Sequence, residues 1–184
     1  MKGLLWLRSD LRMDDNPALR SAFEECDEVA VLYLYSANQL RLHNESNIKI
    51  DFIIRNLKII GKKLSELNSS LIIHNSNGFN HDPELVNSFV IKNNIEKIYI
   101  NSQFGIDETS RDEETKSLLK INKVEIDYFN DQIIYKPGFL KTGQGNPFSV
   151  FTPFKRRWIE NFNMESLDID YVYKKKLLNS FKEN

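Results

Sequence analysis

The residues best placed to do chemistry follow directly on an apolar run. Arg8, Asp10 and Arg12 come immediately after Gly3 to Leu7, and Asn16-Pro17 then supplies a helix cap and a proline at the first helical position. Strand, charged turn and helix in that order put side chains where an open parallel sheet receives ligands, outside the carboxyl ends of its strands. The other strand ends, read as one set, add Tyr35, Ser36 and Asn38, then His74 and Ser76, then Asn101, Gln103 and Phe104. Donors, acceptors and aromatic faces are present without a dedicated nucleophile. Such a set suits recognition of a flat, polar-edged heterocycle better than covalent catalysis. The competing reading is structural: charges as close in sequence as Arg8, Asp10 and Arg12 can satisfy one another, and for Asp10 and Arg12 a local network that pins the turn is the expectation.

A second group is Asp107-Glu108, followed by Arg111-Asp112. Asp107 is expected to cap the helix that starts there, by accepting from its free amides. That leaves Glu108 available, and a carboxylate can accept two parallel N–H bonds from an amino-pyrimidine edge. His43 falls in the loop after the second strand. His74 and His81 lack ligand spacing to other His, Cys or carboxylates, so no metal site is expected.

The elements that must position these residues are legible from periodicity. Short β-rich runs at Gly3 to Arg8, Glu28 to Tyr35, Ser70 to His74, Lys97 to Asn101 and Val124 to Phe129 alternate with helical patterns at Pro17 to Glu25, Asn47 to Leu67, Pro83 to Asn93 and Glu108 to Ile121. The alternation predicts an α/β fold with a doubly wound, five-stranded parallel sheet and helices on both faces. In the second helix, Ile50, Ile53, Ile54, Leu57, Ile60 and Leu64 share one face, and Gly61 on that face marks a close backbone approach. After Phe129 the pattern breaks into turns around Pro137-Gly138, Gly143, Gly145 and Asn146-Pro147. A short helix then begins near Thr152-Pro153, with Pro153 expected at its first position and Phe154 and Trp158 on one face, which either docks on the α/β domain or waits for a further domain. The tail carries Tyr171, Val172, Tyr173, Leu177, Leu178 and Phe181 with no evident partner. The division expected is an α/β domain over 1–130 and a connector over 131–184.

Composition narrows the function classes. The 184 residues include 25 basic and 26 acidic ones, for a formal net charge of -1, which argues against a surface built mainly to bind nucleic acid. Lys155-Arg156-Arg157 and Lys174-Lys175-Lys176 read as solvated helix faces. One cysteine, Cys26, excludes an internal disulfide and a thiolate metal cluster. The first apolar run is interrupted by Arg8 and Asp10, and none reaches bilayer length, so a cytoplasmic monomer with no membrane partner is expected. Seven glycines form neither a Gly-x-Gly-x-x-Gly nor a Walker loop, which weighs against an unrelated nucleotide-binding α/β protein.

Three segments resemble the DNA photolyase and cryptochrome family. Trp6 to Leu19, Trp-Leu-Arg-Ser-Asp-Leu-Arg-Met-Asp-Asp-Asn-Pro-Ala-Leu, is similar to the family's opening. Ile100 to Leu118 resembles its fourth-strand segment, in which an aromatic, two residues, Asn-Glu and a further Arg-Asp precede a helix. Val150 to Trp158, Val-Phe-Thr-Pro-Phe-Lys-Arg-Arg-Trp, is similar to the exit from its first domain. The resemblance implies the N-terminal light-harvesting domain of a deoxyribodipyrimidine photolyase, or alternatively of a cryptochrome-type blue-light photosensor. It implies an antenna chromophore, methenyltetrahydrofolate first and deazaflavin or FMN/FAD as alternatives, with catalytic FAD confined to a helical domain absent from these residues. In the folate branch the Asn-Glu pair contacts the pterin. Glu108 matches its Glu, Asp107 stands where the pair has Asn, and His43 falls where relatives carry a His-Asn pair. Arg8, Tyr35, Asn101 and Gln103 would meet a deeper, flavin-like chromophore. The full-length family member would be a carbon–carbon lyase acting on damaged DNA through its flavin domain. The chain by itself is expected to be inactive.

Overall fold

The computed structural model describes residues 1–163 and 176–183. Its elements run β1 (Lys2–Leu7), α1 (Pro17–Glu25), β2 (Glu28–Tyr35), α2 (Ala37–Leu42), α3 (Asn47–Glu66), β3 (Ser70–Asn75), α4 (Asp82–Asn93), β4 (Lys97–Asn101), α5 (Ile106–Ile121), β5 (Glu125–Phe129) and α6 (Phe151–Asn161). The strands form one sheet in the order β3-β2-β1-β4-β5, with every pair parallel. The chain therefore winds outward from β1 to β3, crosses back, and winds the other way through β4 and β5. This reversal opens a crevice beside β1 at the carboxyl ends of the strands.

Strand periodicity sorts the core into two layers. Leu5, Leu7, Val29 and Val31 point one way and pack with Leu19 and Phe23 of α1 and Leu57, Ile60 and Leu64 of α3. Leu4, Trp6, Ala30 and Leu32 point the other way, onto Val86, Phe89 and Val90 of α4 and Leu119 of α5. Asn16 caps α1 by accepting from the Leu19 amide, and Pro17 follows at the first position. The α3 face predicted from sequence is buried only along Leu57, Ile60 and Leu64, while Ile54 is exposed. The close backbone approach expected at Gly61 is not found: a Cβ there would meet only the Leu71 side chain, at 3.5 Å, an ordinary van der Waals contact. Cys26 is buried, its thiol pushed up in pKa by that burial, and it packs against Gly3, where a Cβ would lie 2.5 Å from Sγ.

Several local expectations are corrected. The helix α2 has no counterpart in the sequence reading. It has six residues and none is buried, so it carries no amphipathic signal, and it is held at its start by the Ser36 hydroxyl accepting from the Gln39 amide. Asp107 does not cap α5: Gly105 occupies the cap position and Asp107 is exposed one residue inside the helix. Val150 caps α6, which moves Pro153 off the first position. No residue of α6 is buried. Trp158 instead stacks on Phe162 and meets Tyr135 edge-on, so the helix packs on the loop after β5 and not on the sheet domain. The tail does have partners. Leu177 inserts into the layer of α1 and α3, its backbone bonded to Leu67 and Asn68, and Phe181 stacks on Phe89 in the opposite layer. Tyr171, Val172 and Tyr173 lie outside the described residues.

Candidate functional site

The crevice at the strand ends is a cleft of about 660 Å³. Its floor is the end of β1 with Trp6, Arg8 and the turn that follows, together with Tyr33 of β2. One wall is apolar, made by Leu40 of α2 and Phe52 and Ile53 of α3. The opposite wall is polar, made by Gln103 after β4 and by Glu108 and Arg111 of α5, and His43 also lines the cleft. Four of the chromophore-binding candidates thus meet here, Arg8, His43, Gln103 and Glu108, from four separate segments, and Asp10, Arg12 and Ser36 of the strand-end set line the cleft with them.

The polar floor is held by a network of long sequence reach. Arg8 is buried and its Nη1 donates to both carboxylate oxygens of Asp112, at 2.7 and 2.8 Å. Its Nη2 donates to the Asn101 carbonyl. Burial lowers the Arg8 pKa, opposed by the Asp112 charge, and Nε has no hydrogen-bond partner among the described residues. Arg111 shares the same carboxylate, with Nε and Nη2 at 3.0 and 2.8 Å from Oδ1, and donates from Nη2 to Gln103. Both guanidiniums lie over the Trp6 ring, at 5.4 Å for Arg8 and 4.8 Å for Arg111. Asp82, at the start of α4, accepts from the Ser76 hydroxyl, and burial raises its pKa.

The turn after β1 is pinned, but not by the local ion pairs expected. Asp10 accepts from the Arg8 amide and from Asn101 Nδ2, at 2.9 and 2.6 Å, while Arg12 pairs with Asp131 and the Asp15 carbonyl. Asn101 is buried and its side chain joins Asp10, Asn16 and the Ala18 amide. It ties β4 to the start of α1 and does not line the cleft. Tyr35 and Asp107 are also outside the cleft lining. Glu108 is half-buried, folds back over Gly105, and has no hydrogen bond or ion pair among the described residues.

Tyr33, Phe52, Phe79 and Asp82 line the cleft without having been singled out from sequence, and Arg111, named there only as following the Asp107-Glu108 pair, lines it with them. A helical signal pointed to one of them: Arg111 lies three residues beyond Glu108, on the same face of α5. Chemically, the arrangement offers an unengaged carboxylate at one wall, an apolar wall facing it and an aromatic floor under two cations. It can seat and orient a flat heterocycle with polar edges.

Comparison with known proteins agrees with this fold. The family model for DNA photolyase matches residues 3–171. The deoxyribodipyrimidine photo-lyase of Vibrio cholerae is 33% identical over 159 residues, which is 86% of this chain and 34% of that protein. This chain therefore spans about a third of the length of the curated relatives it matches. Among solved structures, the cryptochrome of Synechocystis sp. PCC6803 superposes with a TM-score of 0.82 at 17% identity, covering 100% of this chain and 38% of that one. An archaeal photolyase from Sulfolobus tokodaii, solved with two FAD molecules, superposes with a TM-score of 0.67 at 24% identity, covering 77% of this chain and 32% of that one. With the two-way winding of its parallel sheet and a family match across both halves of the chain, this protein belongs to the DNA photolyase family, as its N-terminal α/β domain.

Proposed function

We propose that this domain, residues 1–130 with a connector over 131–184, holds the antenna chromophore of a deoxyribodipyrimidine photolyase in the strand-end cleft. The observation that carries the reading is the convergence of Arg8, His43, Gln103 and Glu108 on one cleft of about 660 Å³. The residues fit a pterin: the Glu108 carboxylate is unengaged among the described residues and can accept two parallel N–H bonds, while Phe52 and Ile53 supply apolar cover. When bound, methenyltetrahydrofolate would absorb light and pass the excitation on. The protein's part is to orient the ring and keep water from its polar edge. A second reading, a flavin or deazaflavin seated deeper over Arg8 and Gln103, is favoured by one observation, the two FAD molecules of the Sulfolobus tokodaii photolyase.

In the whole protein, the partner of this domain would be a flavin-binding helical domain, and damaged DNA would be met through that domain, with cyclobutane pyrimidine dimers split there. The test is Glu108→Ala in the full-length protein. The expected result is loss of the long-wavelength folate band, with flavin absorption and directly excited repair unchanged. A retained folate band overturns the Glu108 assignment. Purification with a bound deazaflavin or second flavin replaces the pterin by the deeper reading.

A further inference from the structure

The aromatic surface at the floor of the cleft is already covered. The Arg111 guanidinium lies 4.8 Å over the Trp6 ring and 4.7 Å over the Phe79 ring. It is only 4% exposed, and three hydrogen bonds hold it: Nη2 donates to Gln103 Oε1 at 2.9 Å and to Asp112 Oδ1 at 2.8 Å, and Nε donates to Asp112 Oδ1 at 3.0 Å. A planar cation held this way takes up the faces on which a flat ring would stack. A ring entering the floor would have to break those bonds and both ring contacts together, and would leave a buried cation without partners. Glu108, three residues earlier on α5, lines the wall of the same cleft with no hydrogen bond or ion pair among the described residues.

From this juxtaposition we infer that Arg111 is a specificity-determining residue: its guanidinium bars three-ring heterocycles from the Trp6 and Phe79 rings and confines the occupant of the cleft to the space between the Glu108 wall and the Phe52 wall. The inference rests on the chromophore-binding reading above and deepens it, since it names the residue that would select a two-ring occupant at the wall over a three-ring occupant at the floor. Charge alone does not make the barrier. A lysine would keep the charge and most of the bulk, whereas a glutamine would still bond Asp112 but end short of the rings.

The probe is riboflavin, an uncharged three-ring heterocycle, titrated into the 184-residue chain in a Trp158→Phe background, so that Trp6 is the sole indole. Binding is read from quenching of both the riboflavin and the Trp6 emission. Arg111→Gln is expected to bind riboflavin at least about tenfold more tightly than the Arg111 parent, with Arg111→Lys remaining close to the parent. A parent that binds as tightly as Arg111→Gln, or a folded Arg111→Gln that binds none, overturns the inference. Should Arg111→Gln fail to fold, Gln103→Ala decides: it removes one of the three hydrogen bonds that hold the guanidinium over the rings, and riboflavin binding no tighter than in the parent overturns the inference. No natural chromophore enters this titration. Failure here with loss of the folate band in Glu108→Ala would sink the barrier alone, and the converse outcome would sink the pterin alone.

Discussion

Arg8 and Asp112 stand 104 residues apart in sequence, yet one guanidinium nitrogen of Arg8 lies within 2.8 Å of both Asp112 oxygens, with Arg111 closing on the same carboxylate. The pair joins the end of β1 to α5 across the point where the winding of the sheet reverses. One carboxylate thus holds two buried cations under the cleft.

Removing that carboxylate leaves both guanidiniums buried with unmatched charge. Asp112→Ala is expected to cost about 3–5 kcal/mol, the range for breaking a buried pair from one side. Urea unfolding followed by circular dichroism measures it. A loss under about 1 kcal/mol would show that water or the neighbouring carbonyl replaces Asp112.

The tail contributes to the core despite its position in the sequence. Leu177 and Phe181 are 2% and 4% exposed, one in each layer of the sheet sandwich. Leu177→Ala is expected to cost about 2–5 kcal/mol and Phe181→Ala about 3–5 kcal/mol, the ranges for large-to-small changes in cores. Losses within about 0.5 kcal/mol of the parent would show that these side chains do not stay docked in solution.

Trp158 is the opposite case. It is large and aromatic, but α6 has no buried residue and, among the rings of the described residues, Trp158 contacts only Phe162 and Tyr135. Trp158→Ala in this chain should therefore shift the urea midpoint by less than about 1 kcal/mol equivalent. A core-sized loss would place α6 against the sheet domain.

Alkaline pH should destabilise the fold. Burial raises the pKa of Tyr33, Tyr99 and Tyr128 above the ordinary 10.0, that of Tyr128 to about 12. The native state then binds more protons than the unfolded chain in this window, so the slope of stability with pH is negative. The contribution of Tyr128 is complete below pH 10.0 and is lost as pH rises through about 12. Unfolding midpoints at pH 9 and at higher pH, with Tyr128→Phe alongside, check it on an alkaline scale of about two units. An equal loss in Tyr128→Phe would assign the effect to Tyr33 and Tyr99.

Local chemistry was enough to read the scaffold from sequence. The bounds of α1, β2 and β4 follow from the Asn16-Pro17 start, the apolar run from Glu28 to Tyr35 and the run from Lys97 to Asn101, because capping and side-chain period act over a few residues. The strand-end rule then pointed to Arg8 and Gln103, and the family motifs to His43 and Glu108, all of which line the cleft. Tertiary structure alone decided which partner each charge takes: Arg8 with Asp112 and Arg12 with Asp131, not with Asp10 nearby. It also decided that Asn101 holds the fold together, that Arg111 covers Trp6, and that Leu177 and Phe181 return to the sheet. Periodicity records which face of an element is apolar. It carries nothing about which distant element meets that face, because packing pairs residues through space, where sequence separation no longer counts.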